Sequence, residues 1–287
     1  MPIDPSVAIG ADLGEVSFAW TASDVQLYHL ALGAGSDPMS PRELRYTYED
    51  GLQVLPTFAT VAANLRVFEP PAVSFPGVEV DLGKVLHGKQ EVIAHRPIPT
   101  SGKAVARTRI VDVFDKGKAA VIVNETVATD SDGTPLWTLR SSIFARGEGG
   151  FGGERGPSDK VELPSREPDV VIDTPTLPQQ ALLYRLCGDR NPLHADPAFA
   201  AAAGFDKPIL HGLCTYGVVA KAVTDELLDG DTSRVASFSA KFAGVVFPGE
   251  PLRTRVWREP AGLLITTTAP ERDDAPVLSD TLLTTTD

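Results

Sequence analysis

The sequence predicts an α+β protein made of two similar halves, each a helix laid over an antiparallel sheet. Three observations carry that reading. A run from Arg146 to Glu167 gathers Gly147, Gly149, Gly150, Gly152, Gly153, Gly156, Pro157 and Pro164 among charges, without periodicity, near the middle of 287 residues. The same order of helix and turn signals recurs on either side of it. Both halves then close with β-rich runs.

Each half opens on a helical stretch, Val25 to Leu32 and Gln179 to Cys187, in which Tyr28-His29-Leu30 answers Tyr184-Arg185-Leu186 and a glycine follows. A Pro-led segment then leads into a second helix: Pro56-Thr57-Phe58 in the first half, Pro208-Ile209-Leu210-His211-Gly212 in the second. In the second half, Asp196 and Pro197 suit the N-cap and first turn of a short helix over Ala198 to Ala203. His211 to Leu228 has the length of a buried central helix and stops near Asp229-Gly230. Strands are expected over Lys103 to Phe114 and Ala119 to Ala128, and over Ser237 to Val246, Leu252 to Trp257 and Gly262 to Thr268. The turns Thr100-Ser101-Gly102 and Phe247-Pro248-Gly249 precede them; Ser36 to Tyr48 reads as a loop. The division is residues 1–146, a linker 147–167, and residues 168–287, with the two sheets pairing edge to edge.

A net charge of -12 argues against a nucleic-acid surface, which needs clustered Lys and Arg. An anionic small ligand needs only a local basic patch, for which Lys116 and Lys241 are candidates. No apolar run reaches the about 18 residues that span a bilayer, so no membrane partner is expected. Cys187 and Cys214 are too few for a disulfide framework and read as small core residues. The start, Met1-Pro2-Ile3-Asp4-Pro5, lacks the pattern of a secretory signal, and Thr285-Thr286-Asp287 is no peroxisomal address. The expected compartment is the cytoplasm.

The chemistry concentrates in Gly188-Asp189-Arg190-Asn191-Pro192-Leu193-His194. Gly188 stops one helix and Pro192 drives Asn191 out of the α region, so the segment is a loop. A carboxylate and an imidazole five residues apart diverge on a helix, but a loop that curls at Asn-Pro can aim both at one water. Such a pair serves as acid and base. Gly212, at the start of the central helix, can offer a free N–H and the helix dipole to a developing oxyanion. Plainer readings stand beside these. Gly-Asp-x-Asn-Pro is also an ordinary turn, His194 a loop histidine, His211-Gly212 a helix cap, Lys116 a solvated turn lysine, Phe242 a core aromatic and Lys241 a surface strand residue. Cys187, Asp189, His194, His211 and Cys214 match no familiar zinc spacing, and no metal is expected.

The continuous strings from Tyr184 to His194 and from Gly204 to Thr215 resemble the signature of R-specific 2-enoyl-CoA hydratases, the hydratase 2 or MaoC-like dehydratases. Leu86-His87-Gly88-Lys89-Gln90, Asp115-Lys116-Gly117 and Gly149-Gly150-Phe151-Gly152-Gly153 extend the likeness over most of the chain. The resemblance implies a double hot-dog fold, each repeat an antiparallel sheet wrapped around a long helix. It also implies interconversion of trans-2-enoyl-CoA and (3R)-3-hydroxyacyl-CoA without an added cofactor. Asp189 and His194 would hold the water, Asn191 would orient them and Gly212 would contact the thioester oxygen. His87, Gly88, Lys116 and Phe242 would bind the acyl-CoA, along with the loop residues Arg190, Pro192 and Leu193. Gly33-Ala34-Gly35-Ser36-Asp37-Pro38-Met39 stands where the second half has its Asp-x-Asn-Pro-x-His loop, and it lacks the histidine. One active site per chain follows, with the degenerate first half as an acyl-chain pocket. An acyl carrier protein thioester is a second possible substrate, and a homodimer is expected by analogy. A non-catalytic acyl-thioester binder and a thioesterase are the rival readings.

Overall fold

A computed structural model describes residues 3–69, 75–80, 85–158 and 160–286. Met1, Pro2, Asp159 and Asp287, parts of the stretches read above, lie outside them. In chain order the elements are α1 (Pro5–Ala8), β1 (Asp12–Trp20), α2 (Ala22–Ala31), α3 (Pro41–Thr47), α4 (Ala59–Ala62), β2 (Val85–Ala94), β3 (Gly102–Asp115), β4 (Ala119–Thr129) and β5 (Pro135–Arg146). The second half follows with β6 (Val170–Thr174), α5 (Gln180–Tyr184), α6 (Pro197–Ala202), α7 (Gly212–Leu227), β7 (Val235–Phe242), β8 (Leu252–Glu259), β9 (Gly262–Ala269) and β10 (Ala275–Thr285).

The ten strands form one antiparallel sheet in the order β1-β3-β4-β5-β2-β7-β10-β9-β8-β6. Five strands come from each half, and the halves meet where β2 pairs with β7 from Lys89↔Lys241 to Ile93↔Ser237. The expected edge-to-edge pairing is therefore one continuous ladder. Long strands such as β3 alternate buried and more open positions, the period-2 signature of a sheet with one face on a core. One large core spans both halves, from Trp20, Tyr28 and Phe58 to Tyr216, Phe238 and Leu252. A smaller one, including Ile3, Ile110 and Ile122, forms where α1 packs on the first half.

Helix starts follow capping chemistry. Thr21 and Asp24 make a capping box on α2, Ser40 caps α3 ahead of Pro41, and Asp196 accepts from Ala198 and Phe199 at the start of α6. Two sequence expectations change. The stretch from Ser36 to Tyr48 is not all loop, since α3 lies in it. The second helix of the first half is a 3-10 turn, Pro56–Phe58, followed by only four α-helical residues, whereas its counterpart α7 has 16. The linker contains no helix or strand among the described residues, but it is fastened down. Asp115 accepts the N–H groups of Gly117, Gly150 and Gly152 at 2.7, 2.9 and 2.8 Å, and these bonds hold its carboxyl below the usual range.

The two halves are also locked through their helices. Lys221 of α7 reaches Glu43 of α3 at 2.8 Å and Asp225 at 2.7 Å, and the Tyr46 hydroxyl donates to Asp225 at 2.7 Å. Lys221 is only 8% exposed, so removing it strands two carboxylates in low dielectric. Lys221→Ala should lower unfolding free energy by about 3–5 kcal/mol in urea titrations; a loss under 1 kcal/mol would show that the cluster is solvent-screened.

His29 is wholly buried, accepts the N–H of Leu55 at Nε2 and so donates Nδ1–H to the carbonyl of Tyr46 at 2.8 Å. Burial pushes its pKa down to about 4. A histidine depressed in the folded state binds protons better once unfolded, so its contribution is intact above pH about 6.5 and is lost as pH falls towards 4. Unfolding free energy should decline there by up to about 1.4 kcal/mol per pH unit on account of this residue. In His29→Phe that part of the slope should vanish.

Candidate active site

The segment after α5 tightens into a 3-10 turn, Arg185–Cys187, and ends at Gly188 with φ of +114°. A side chain here would be strained by that backbone, and a Cβ would sit 2.0 Å from the carbonyl oxygen of Asn64. Glycine thus lets the loop turn against the end of the short first-half helix. The chain then curls as the sequence predicts. Asn191 N–H donates to Asp189 Oδ1 at 3.1 Å, and Asn191 Oδ1 accepts from Leu193 N–H at 3.0 Å, capping a 3-10 turn over Pro192–His194. Asn191 therefore orients the loop from within, while Pro192 and Leu193 build the turn that brings His194 back.

His194 is 8% exposed, and its Nδ1 donates to the carbonyl of Ile209 at 2.9 Å. A carbonyl can only accept, so Nδ1 carries the proton and Nε2 keeps its lone pair. Burial holds the imidazole below its ordinary pKa, while the Ile209 bond and the Asp189 charge pull it upwards. Ligand-type atoms of Asp189, His194 and His211 all lie within 4.8 Å of one another. A single water, bonding at about 2.8 Å to each of two acceptors, spans such a gap.

Two members of the trio are in direct ring contact. His194 and His211 stack with centroids 3.7 Å apart and planes 29° apart. His211 Nε2 is moreover 3.3 Å from the main-chain oxygen of Asp189. His211 is the N-cap residue of α7, as one reading of the sequence had it, but its side chain makes no cap bond. No sequence spacing announces the contact with Asp189, which joins residues 22 apart.

Gly212 is the first residue of α7, so its N–H has no partner inside the helix. The Phe242 ring lies over it, 3.1 Å from where a Cβ would stand. Phe242 also packs on His87, with ring centroids 4.7 Å apart. His87 arrives from the first half on β2, at a bulge that falls at Gly88 between His87 and Lys89. The bulge turns its ring out of the ladder. Its Nε2 is buried without a partner, burial pushes its pKa down to about 4, and the charge of Asp189 acts on it. His87, Gly88, Phe242 and Gly212 are thus gathered beside Asp189 and His194.

Lys116 and Arg190 stand further out. Lys116 lies in the β3–β4 turn, its Nζ 3.2 Å from the carbonyl of Pro157. The register Phe114↔Val121↔Phe144↔Leu86 puts that turn at the same end of the sheet as His87, three strands or about 14 Å away. Arg190 lays its guanidinium over the exposed ring of Phe68 at 5.3 Å, and its carbonyl accepts from Arg185. Lys241 is exposed on β7, 3.6 Å from Asp280. A cleft of about 600 Å³ lined by Arg45, Asp229 and Arg234 lies at the far end of α7, away from these groups.

Comparisons with known proteins bear on the family and fold of the chain. Residues 18–147 match the MFE-2 hydratase 2 N-terminal domain family and residues 159–267 the MaoC like domain family. The chain is 60% identical to the enoyl-CoA hydratase ChsH3 of Mycobacterium tuberculosis, over 97% of this chain and 98% of that protein. It is 42% identical to 3-hydroxyacyl-thioester dehydratase Y of the same organism, over 91% and 90%. Among solved structures, a MaoC-like dehydratase from Phytophthora capsici superposes with a TM-score of 0.86 at 30% identity, covering 97% of this chain and 96% of that one. A Mycobacterium tuberculosis protein described as a double hotdog fold aligns at TM-score 0.57 and 12% identity over 99% and 98%, a likeness of fold alone. With its antiparallel sheet, its two-repeat layout and these relatives, the chain belongs to the hydratase 2, MaoC-like dehydratase family and has the double hot-dog fold.

Proposed function

We propose that this protein hydrates trans-2-enoyl-CoA reversibly to (3R)-3-hydroxyacyl-CoA in fatty acyl-CoA metabolism. The observation that carries the proposal is the approach of Asp189 and His194, whose ligand-type atoms lie within 4.8 Å of one another, together with the bond from His194 Nδ1 to Ile209 that leaves Nε2 its lone pair. Water held by both acceptors presents its own lone pair to the β-carbon of the enoyl group. His194 takes one proton as the new C–O bond forms, and the carboxylate of Asp189 steadies the resulting imidazolium. The C=C electron pair moves to the α-carbon and the thioester oxygen, where the Gly212 N–H and the dipole of α7 stabilise the charge. The proton then passes from His194 to the α-carbon on the same face, so hydrogen and hydroxyl add syn. No added cofactor enters this scheme, because coenzyme A is part of the substrate.

His87, Gly88 and Phe242 are proposed to line the thioester, with Arg190, Pro192 and Leu193 on the loop side. Lys116, about 14 Å from His87 at the same sheet end, suits the far end of an extended carrier arm. The first half, residues 1–146, is proposed to take the acyl chain where α4 is short, leaving the chemistry to residues 168–287. The proposal extends to a homodimer in the cytoplasm, with acyl carrier protein as an alternative carrier. Among the described residues no helix is long and apolar enough to cross a membrane.

Crotonyl-CoA tests the reaction. Loss of enoyl-thioester absorbance with the thioester intact means hydration; free thiol means a thioesterase; no change means a binder. Asp189→Asn and His194→Ala should each lower kcat by about 10²–10⁴-fold while keeping the fold. Turnover near that of the parent in both variants would sink the assignment.

The pH profile is a separate check. A base must be unprotonated to work, and burial lowers the pKa of His194. The acid limb of kcat/KM should therefore fall below pH about 6.5, the ordinary histidine value; a limb at or above it contradicts the assignment.

A further inference from the structure

His211 has no role in the chemistry just described, yet it touches both members of the acid/base pair. Its Nε2 lies 3.3 Å from the main-chain oxygen of Asp189, and its ring covers a face of His194 at 3.7 Å. Tyr184 backs it from the other side, with ring centroids 5.0 Å apart. The residue is 1% exposed, and its Nδ1 is buried with no partner. Burying a nitrogen in that state is unfavourable, which leaves the Nε2 bond to Asp189 and the ring contacts to account for its place.

We propose that His211 is a positioning residue for the hydration: bonded to the backbone of Asp189 and stacked on His194, it holds carboxylate and imidazole at the separation that one water bridges. The inference rests on the assignment of Asp189 and His194 above. His194 is anchored at a single atom, Nδ1, and a ring hinged on one bond can still swing. A flat partner against its face removes that freedom. Asp189 follows Gly188, the most permissive residue of the loop, and the bond to its carbonyl fixes the backbone from which the carboxylate projects.

The stack also keeps the proton where it is useful. The groups that act on His194 are the carboxylate of Asp189, the guanidinium of Arg185, the carbonyl of Ile209 and the ring of His211 itself. Burial first, then the neighbouring His194, push His211 down to about 2, so it stays neutral across the working range. A proton taken from water remains on His194 and is not passed back through the stack.

Two variants separate the two contacts. His211→Phe keeps a flat ring against His194 but loses the N–H to Asp189; His211→Gln keeps an N–H donor but loses the ring and lets water reach His194. Both should lower kcat for crotonyl-CoA by about 10–100-fold, the scale of a small misplacement, with KM changed by less than about threefold. In His211→Gln the acid limb of kcat/KM should rise towards 6.5, because the burial that depresses His194 is relieved. In His211→Phe the limb should stay in place. Thermal melting measures the folded fraction, and rates are expressed per folded molecule. The inference is overturned if that correction removes the loss, or if kcat and the limb match the parent in both variants while Asp189→Asn and His194→Ala are inactive. Survival of turnover in those last two variants would instead overturn the acid/base assignment itself.

Discussion

The hydrogen bond from His194 Nδ1 to the carbonyl of Ile209 governs what the rest of the site is able to do. It joins the curled loop to the segment running into α7, and the next residue in that segment, Leu210, donates to Val246 at 2.7 Å. The loop histidine is therefore referenced through two bonds to the connection between β7 and β8, where Val246 lies beyond the end of β7 at Phe242. Because a carbonyl accepts and never donates, one tautomer is selected and Nε2 is left with the free lone pair. Gly212 lies three residues beyond Ile209, so the same short stretch that orients the imidazole also places the free N–H at the start of α7.

Low dielectric and opposite charge act together at this point. Burial lowers the basicity of His194, and the carboxylate of Asp189 partly restores it. A base buried alone is too weak to take a proton from water, and one beside a carboxylate in open solvent is protonated too readily. His87 feels the same carboxylate from the opposite half of the molecule and is held neutral by burial. The acidic charge acting on both imidazoles is thus that of Asp189, with the Arg185 guanidinium opposing it at His194.

Much of this was legible in the sequence where the cause is local. The stop at Gly188, the bend at Asn191-Pro192, the cap at Asp196 and the extent of α7 follow from residues within a turn of where they act. The strands β3, β4, β8 and β9 show in their alternation or branched residues. Strands β2 and β10 were not singled out, for physical reasons. Strand β2 carries His87-Gly88-Lys89-Gln90-Glu91 through a bulge, so polarity masks its period; β10 shifts register more than once and has Asp280 at φ +47°. The shortness of α4 left no mark either; just past its end Asn64 meets Gly188, a contact between residues 124 apart. The position of His211 under His194 belongs to the same class: it is made by tertiary contact, and no spacing announces it.

Strand β2 has an unusual double allegiance. Its hydrogen bonds on one side continue the first half through β5, and on the other they are shared with β7 of the second. Parting the two halves would expose two raw sheet margins, each a template for promiscuous strand addition, and would carry His87 away from the fragment that holds Asp189 and His194. A single polypeptide holding both halves keeps that seam closed and keeps His87 beside Phe242 and within reach of the charge of Asp189.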